Sequence, residues 1–246
     1  MAPPAAKATA AGKRATDTRQ RSSMTTVSPV TQHAPSPAVM NVSIGAEGLS
    51  GELTMPPGPT GIVVSATGRD EPMPAACHAA LAQAMMHHGL ATLVFDPLTP
   101  AEKHGRQRVL DMALLASRIR LALNWLGQRD KLTGLPVGLL GASQGASAAL
   151  LAAAREPQRI SAVVTQGGRP DLAGAQLSHV RMPTLLIMGN DDIGILELTR
   201  HAARALPCTT RMAVMPPAAR NGQGATAPEA AASLAGLWFA QHLPAA

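Results

Sequence analysis

An apolar run from Val137 to Leu140, followed by Gly141-Ala-Ser143-Gln-Gly145, constrains the fold of this chain more than any other segment. The run has the length of a buried strand, and the alanine-rich stretch after it is typical of a helix. A turn this abrupt leaves no room for side chains two residues to either side of the serine, which explains both glycines. The serine is predicted to sit in a strained conformation at the carboxyl end of the strand. An ordinary strand–helix turn is the alternative.

A serine hydroxyl in this position is suited to nucleophilic attack. The free N–H groups at the N-terminus of the next helix can bind negative charge that develops on a substrate oxygen. The hydroxyl is a poor nucleophile until a base removes its proton, and a third group must orient that base. In chains with this motif an acidic residue follows the serine along the sequence, and the histidine comes last.

The acid is expected at the carboxyl end of a strand downstream of Ser143. The segment Thr184-Leu-Leu-Ile-Met-Gly-Asn-Asp191-Asp192 supplies an apolar strand, a glycine and two aspartates, of which Asp192 is favoured. A polar turn that caps the next helix is the alternative. The histidine should follow the last strand, yet no histidine occurs from residue 202 to residue 241. The base of a triad is therefore missing from its expected place.

The apolar pattern after residue 38 predicts one α/β domain over residues 39–246. Two segments, 39–44 and 49–55, alternate around a glycine-containing turn and predict an antiparallel hairpin. Further strands are predicted at 61–66, 91–96, 137–141, 160–165, 184–188 and 211–215, and helices at 75–88, 106–128, 146–155, 195–206 and 228–242. Alternating strands and helices predict a mostly parallel central sheet with helices on both faces and no lid domain.

The net charge of +6 is concentrated near the N-terminus. Residues 1–40 hold five basic side chains and one acidic side chain, which gives +4. The rest of the chain has 16 basic and 14 acidic side chains, so the predicted domain is nearly neutral. Binding of nucleic acid through a basic face is therefore not expected.

Residues 1–38 are rich in Ala, Pro, Ser and Thr and lack hydrophobic periodicity, so we expect a disordered basic tail. Three interpretations of it stay open. The tail faintly resembles a transit peptide, Met24 could be the true start of the protein, or the tail is a basic interaction segment.

The remaining features of the sequence argue against a membrane span, a secretory signal and a metal or redox site. No apolar run approaches the length of a membrane span, and the N-terminus lacks the apolar core of a secretory signal. Cys77 and Cys208 have neither metal-ligand nor redox spacing, so we expect reduced thiols in a cytoplasmic protein. No metal and no cofactor are predicted. The oligomeric state has no signature in the sequence.

From about residue 39 to residue 243 the chain resembles the dienelactone hydrolase-like branch of the α/β-hydrolase family. The resemblance is carried by Gly138-Leu-Leu-Gly-Ala-Ser-Gln-Gly-Ala, by Val163-Val-Thr-Gln-Gly-Gly-Arg-Pro-Asp-Leu-Ala-Gly and by Pro183-Thr-Leu-Leu-Ile-Met-Gly-Asn-Asp-Asp with the following Leu196-Glu-Leu. It implies Ser143 as nucleophile, Asp192 as triad acid and a small ester or lactone as substrate.

Two departures from the family pattern concern the site. Where the family has Pro-Gly-Ala-[Ser/Thr]-His, this chain has Pro216-Pro-Ala-Ala-Arg220. A guanidinium stays protonated near neutral pH and accepts no hydrogen bond, so Arg220 cannot act as the base. It could instead pair with Asp192. The loop after the third strand reads Thr67-Gly-Arg69, where the family often has His-Gly and small residues, so the oxyanion hole is expected from the N–H groups of Gln144 and Arg69.

Two other histidines are candidates for the missing base. His104 lies in the loop after the strand at 91–96, and His78 lies in the helix after the third strand. A solvated or capping histidine is the simpler interpretation of each. Three functions stay open: a hydrolase with an atypical triad, a non-catalytic protein of the same fold that binds a small molecule or partner, and an interaction protein that works through its basic tail.

Overall fold

The computed structural model of the chain describes residues 37–66, 74–103, 111–189, 193–215 and 227–243. The chain divides into two units, Met1–Ala34 and Pro35–Ala246, and the first lies wholly outside the described residues. The tail over residues 1–38 and its boundary therefore stay predictions. Several candidate site residues also lie outside the described ranges, namely Arg69, His104, Asp191, Asp192 and Arg220.

The described residues form eight strands and six α-helices. The strands are β1 (Ala38–Ile44), β2 (Leu49–Met55), β3 (Gly61–Ala66), β4 (Leu90–Phe95), β5 (Val137–Ala142), β6 (Ala162–Gln166), β7 (Thr184–Gly189) and β8 (Thr210–Met215). The helices are α1 (Ala75–His87), α2 (Pro100–Lys103), α3 (Met112–Leu126), α4 (Gly145–Arg155), α5 (Ile193–Ala205) and α6 (Ala227–His242), and a 3₁₀ segment covers Pro170–His179.

The strands form one sheet in the order β1-β2-β4-β3-β5-β6-β7-β8. The β1–β2 hairpin is antiparallel, and β2 also runs antiparallel to β4. Every other neighbouring pair is parallel. The carboxyl ends of the six parallel strands therefore meet at one edge of the sheet, where reactive groups of such folds lie. This architecture confirms the predicted fold class.

Helices cover both faces of the central strands. All six residues of β3 and of β4 are buried, as expected for parallel strands enclosed on both sides. On one face, Leu115 of α3 and Leu150 of α4 are fully buried. On the other, Phe239 of α6 lies against Gly138 of β5, where an added Cβ would lie 2.5 Å from the ring. This glycine allows the helix to approach β5 closely.

Three parts of the architecture differ from the sequence prediction, the first being the short helix α2, which was not predicted. The described helix α3 begins at Met112, because the Asp111 side chain accepts a hydrogen bond from the Leu114 N–H at 2.9 Å and caps the helix; residues 106–110 of the predicted helix lie outside the described residues. The apolar spacing continues past this cap, which lengthened the prediction. The 3₁₀ segment was not predicted, since its apolar residues follow no helical period and Gly174 interrupts it with a φ of 55°. All other predicted bounds agree within two residues.

Candidate active site

Ser143 occupies a strained turn between β5 and α4. Its φ is 53°, and it is the only non-glycine residue with a positive φ in the described part of the chain. An added Cβ at Gly141 would lie 2.2 Å from the Gly145 carbonyl oxygen, a contact that real Cβ atoms do not make. A left-handed serine costs about 1–3 kcal/mol and persists only where its surroundings impose it. The first glycine of the motif is therefore a steric requirement of this turn, as the sequence predicts.

A second pair of glycines, directly after β6, holds the turn from the other side. The Ser143 N–H donates a hydrogen bond to the Gln166 carbonyl oxygen at 3.1 Å. Gly167 and Gly168 have φ of 62° and 74°, and an added Cβ at Gly168 would lie 2.0 Å from the Ser143 carbonyl oxygen. The backbone after β6 thus lies directly against Ser143. Sequence reasoning missed this support, although two glycines after a predicted strand were a usable signal.

The Ser143 hydroxyl is half-buried and donates a hydrogen bond to Gln144 Oε1 at 2.7 Å. An amide oxygen is not a base, so this contact orients the hydroxyl without activating it. Gln144 is also the N-cap of the 11-residue helix α4. No described group accepts a hydrogen bond from the Gln144 N–H. That N–H therefore has the position and dipole expected of an oxyanion donor.

The other candidate residues follow neighbouring strands at the same edge. Asp192 comes three residues after the end of β7, and Arg220 lies between β8 and α6. The order β5-β6-β7-β8 puts the end of β7 about 10 Å from that of β5, at about 4.8 Å per strand. This is the edge on which an acid and a base would have to reach the serine. The side chains of Asp192, Arg220 and Arg69 lie outside the described residues.

His78, one of the two candidate substitutes for the base, has a partner elsewhere on this edge. Its Nε2 lies 3.6 Å from Oε1 of Glu52 on β2. Strand β2 is three positions from β5 in the sheet, or about 14 Å. Contact with Glu52 therefore holds the imidazole beyond hydrogen-bonding distance of Ser143. The other candidate, His104, lies outside the described residues.

His78 belongs to a group of ionisable side chains above β2 and β4. Lys103 of α2 forms an ion pair with Asp96, which follows β4, and both side chains are mostly buried. With Glu52 they line a cavity of about 450 Å³. We call these four residues, Glu52, His78, Asp96 and Lys103, the charged cluster.

Arg169, one residue beyond the two glycines, makes a bidentate ion pair with Asp171. Its Nε and Nη2 donate to the two carboxylate oxygens at 2.8 and 2.7 Å. These hydrogen bonds hold the pKa of Asp171 below the ordinary value for an aspartate. The Asp171 side chain is 14% exposed and that of Arg169 is 42% exposed. This pair is the charged group closest in sequence to the backbone that contacts Ser143.

Two kinds of feature are absent from the part of the chain that the structure describes. Among the described residues, no group of three or more His, Cys, Asp or Glu side chains is arranged to hold a metal ion. None of the described helices combines the length and the apolar character that a membrane crossing requires.

The chain is similar to several proteins of known structure. It matches a dienelactone hydrolase from Anabaena variabilis with a TM-score of 0.77 and 39% identity, covering 86% of this chain and 100% of that one. A dienelactone hydrolase-like promiscuous phosphotriesterase from metagenomic libraries matches with a TM-score of 0.67 and 18% identity, over 85% of this chain and 100% of that one. The second likeness supports the fold alone.

Curated relatives add a different description. Two Mycobacterium tuberculosis proteins, each named "putative phosphoribosyl transferase", are 42% identical to this chain over 204 residues. The match covers 83% of this chain but 46% of each relative, so the chain spans about half the length of the curated relatives it matches. No family model matches the sequence.

Proposed function

Because this chain belongs to the dienelactone hydrolase branch of the α/β-hydrolase family, we propose that it hydrolyses a small ester or lactone through Ser143. The observation that carries the proposal is the Ser143 backbone, held at a φ of 53° between β5 and α4. A protein with no use for a serine hydroxyl here would lose this strain by having glycine at the position.

In the proposed reaction, Ser143 Oγ bonds to the acyl carbon while the carbonyl oxygen becomes an oxyanion. The N–H groups of Gln144 and Arg69 stabilise that oxyanion. The bond from the acyl carbon to the leaving oxygen then breaks, and the serine proton passes to the leaving alkoxide. Water attacks the acyl-serine in the second half, releasing the acid and restoring the hydroxyl proton.

The atypical member of the proposed site is Arg220, which stands where the family has the histidine base. Without an imidazole the serine proton must leave through water or the leaving group, which slows both halves of the reaction. Loss of a triad member still leaves about 10³- to 10⁴-fold catalysis over water from binding and the oxyanion hole. We therefore propose slow turnover, with good leaving groups preferred and Asp192 paired to Arg220.

The second candidate function is that of a non-catalytic protein that binds a small molecule or a partner through the same site. Two observations favour it: the arginine at position 220, and the Ser143 hydroxyl, which donates to an amide oxygen rather than to a base. The transferase description of the mycobacterial relatives is not carried to this chain, because the match covers less than half of each relative and falls on a hydrolase fold.

Covalent labelling separates the two candidates. We expect a serine-directed phosphonate to label the wild type at Ser143 and not Ser143→Ala, with slow hydrolysis of short activated esters. Arg220→His should raise the hydrolysis rate by about 10-fold or more, since it restores an imidazole at the family position. Arg211→His, an exposed arginine of β8, is the matched control and should change nothing. Absence of labelling together with no gain in Arg220→His would reject the hydrolase in favour of the binding protein.

We also propose that the protein works in the cytoplasm. Cys77 and Cys208 are both free thiols in the structure, which suits a reducing compartment. Cell fractionation with an antibody to the chain tests this, and recovery in a membrane or secreted fraction would overturn it.

A further inference from the structure

The segment Gly167-Gly168-Arg169 joins β6 to the 3₁₀ segment, which begins Pro170-Asp171, and the Gly168 backbone lies against the Ser143 carbonyl group. Both glycines have positive φ. Glycine gives the unfolded chain more freedom than any other residue, so two in succession are costly to order. The Gly168 backbone lies directly against the Ser143 carbonyl group, so the position of this segment bears on the strained φ of Ser143. Some other contact must therefore fix the segment.

Two contacts do so. At the start, the Gly167 N–H donates to the Ile187 carbonyl oxygen of β7 at 2.7 Å. At the end, the guanidinium of Arg169 donates two hydrogen bonds to the Asp171 carboxylate, at 2.8 and 2.7 Å. A bidentate fork fixes both partners in one plane, which a single-point ion pair does not. Gly168 lies between these two contacts.

The side chain of Asp171 is well placed for this role. It is 14% exposed, and the 3₁₀ segment that begins beside it packs against α4 and α5. His201 of α5 also acts on this carboxylate and, like Arg169, favours its ionised form. The ion pair thus joins Arg169, directly after the two glycines, to a segment that packs against two helices.

We propose that Arg169 and Asp171 are positioning residues for Ser143: their ion pair closes the segment after β6 and presses the Gly168 backbone onto the Ser143 carbonyl, which keeps the nucleophile in its strained conformation. The catalytic consequence rests on the proposed function, whereas the effect on the backbone does not. Neither side chain needs to touch the substrate.

If the Arg169–Asp171 contact were an ordinary exposed ion pair, removing it would have a different effect. Exposed pairs contribute little to stability, and their loss leaves distant backbone unchanged. A positioning pair instead acts locally. Its loss should free the Ser143 amide and slow the chemical step, while substrate binding and overall unfolding change little.

The test uses the full chain with Arg169→Gln, Asp171→Asn and the double variant. We expect kcat for an activated ester to fall about 10- to 100-fold with KM within about 2-fold, since small displacements of a nucleophile cost that much. Amide exchange at Ser143, whose N–H bonds to Gln166, should speed up by a similar factor. The double variant should be no worse than either single one, because both remove the same contact.

Two further variants serve as controls. Asp171→Glu keeps the charge and should recover part of the activity, whereas Arg169→Lys cannot form the fork and should not. Arg200→Gln removes an exposed ion pair with Glu197 on α5 and should leave both measurements unchanged.

Different results would reject the proposed function and the positioning role of the Arg169–Asp171 pair. If wild type and Arg220→His neither label nor hydrolyse, the proposed function is wrong, and amide exchange alone decides on the ion pair. Unchanged exchange at Ser143 in Asp171→Asn overturns the positioning role whether or not the protein is active. Additive losses in the double variant, or a rise in KM that accounts for the lost activity, also overturn it.

Discussion

Two regions of the same sheet edge are built in opposite ways. Over β5 and β6 the structure is fixed by missing side chains, since Gly141 and Gly168 let backbone segments touch at Ser143. Over β2 and β4, the charged cluster fixes the edge through side chains that pair across a cavity, such as His78 with Glu52. In the first region a carbon added at Gly141 or Gly168 would overlap backbone atoms, whereas the second region surrounds a cavity.

The comparison of these two regions indicates which kinds of substitution this fold tolerates. Adding one carbon at the crowded glycines forces backbone atoms apart, and backbone cannot move cheaply in a close-packed interior. Removing one charge from a partly exposed pair leaves a group that water can solvate. A site built on backbone contacts is thus easily broken by small changes, while an edge built on paired charges tolerates larger ones.

The largest expected effect is that of Gly168→Ala. Its Cβ would lie 2.0 Å from the Ser143 carbonyl oxygen, in addition to the cost of a positive φ. We expect the free energy of unfolding in urea to fall by about 3 kcal/mol or more. Gly167→Ala is the matched control, because Gly167 also has a positive φ but no atom within 4 Å of the added carbon, and it should cost about 1–2 kcal/mol. Equal losses would refute the crowding at Ser143.

Arg118→Met tests whether every charge near β2 and β4 is as tolerant as the charged cluster. Arg118 is 8% exposed and pairs with Glu47 in the β1–β2 turn and with Glu102 of α2. Methionine removes the buried positive charge that both carboxylates contact, so we expect a loss of about 2–4 kcal/mol in urea unfolding. Arg200→Met, on the exposed face of α5, should change stability by less than about 0.5 kcal/mol. If Arg118→Met left the free energy of unfolding nearly unchanged, a buried charge near β2 and β4 would be as replaceable as the charged cluster is expected to be.

Glu102 gives the same network a pH dependence. The Thr99 backbone N–H, and then the Thr99 hydroxyl and Arg118, lower the pKa of this carboxyl against the opposing effect of burial. A carboxyl whose native pKa is lowered contributes stability above its unfolded pKa and loses that contribution as the pH falls through the native value. Wild type should therefore lose more stability than Glu102→Gln on acidification from about pH 5 to about pH 3. Parallel curves would show that the network does not depend on the ionised form.

Ser143→Gly measures the strain in the turn. Glycine adopts a φ of 53° without a Cβ penalty, whereas alanine keeps the penalty and, like glycine, lacks the hydroxyl. Ser143→Gly should be more stable than Ser143→Ala by about 1 kcal/mol in thermal or urea unfolding. If alanine were the more stable variant, the strain assigned to this turn would be absent.

The smallest expected effect belongs to the charged cluster. His78 and Glu52 are 23% and 33% exposed and meet at 3.6 Å, beyond normal hydrogen-bonding distance. Glu52→Gln should change the free energy of unfolding by less than about 1 kcal/mol. His78→Ala should leave the rate of phosphonate labelling at Ser143 unchanged. A labelling rate that collapses in His78→Ala would show that this histidine reaches the serine after all.

Much of the fold could be predicted, because the signals were local. The apolar runs of β3 and β5 and the turn glycine after Ile44 define strands by their own composition. Two other features were missed. The start of α3 is set by the Asp111 cap, a local signal that the apolar period runs past, and the 3₁₀ segment follows no helical period and packs on α4 and α5.

The candidate site divides in the same way. Ser143 and the role of Gly141 could be predicted from a five-residue pattern, since one turn contains the whole steric problem. The contact of Gly168 with Ser143 and the Arg169–Asp171 pair could not, although the same segment marks the family resemblance. Those residues follow the neighbouring strand β6, 25 to 28 positions along the chain from Ser143. The contact of His78 with Glu52 could not be predicted either, because Glu52 lies on a separate, antiparallel strand.

The sequence by itself determined the alternation of strands and helices, the family, the serine at the end of β5 and the arginine at position 220. Each of these is a property of residue identity or of short-range pattern. Only the tertiary structure decided what holds Ser143 in its strained conformation. Pairing of β5 with β6 brings the Gly167-Gly168 backbone against that turn, and a contact between two strands is specified by sheet order and register rather than by either segment alone.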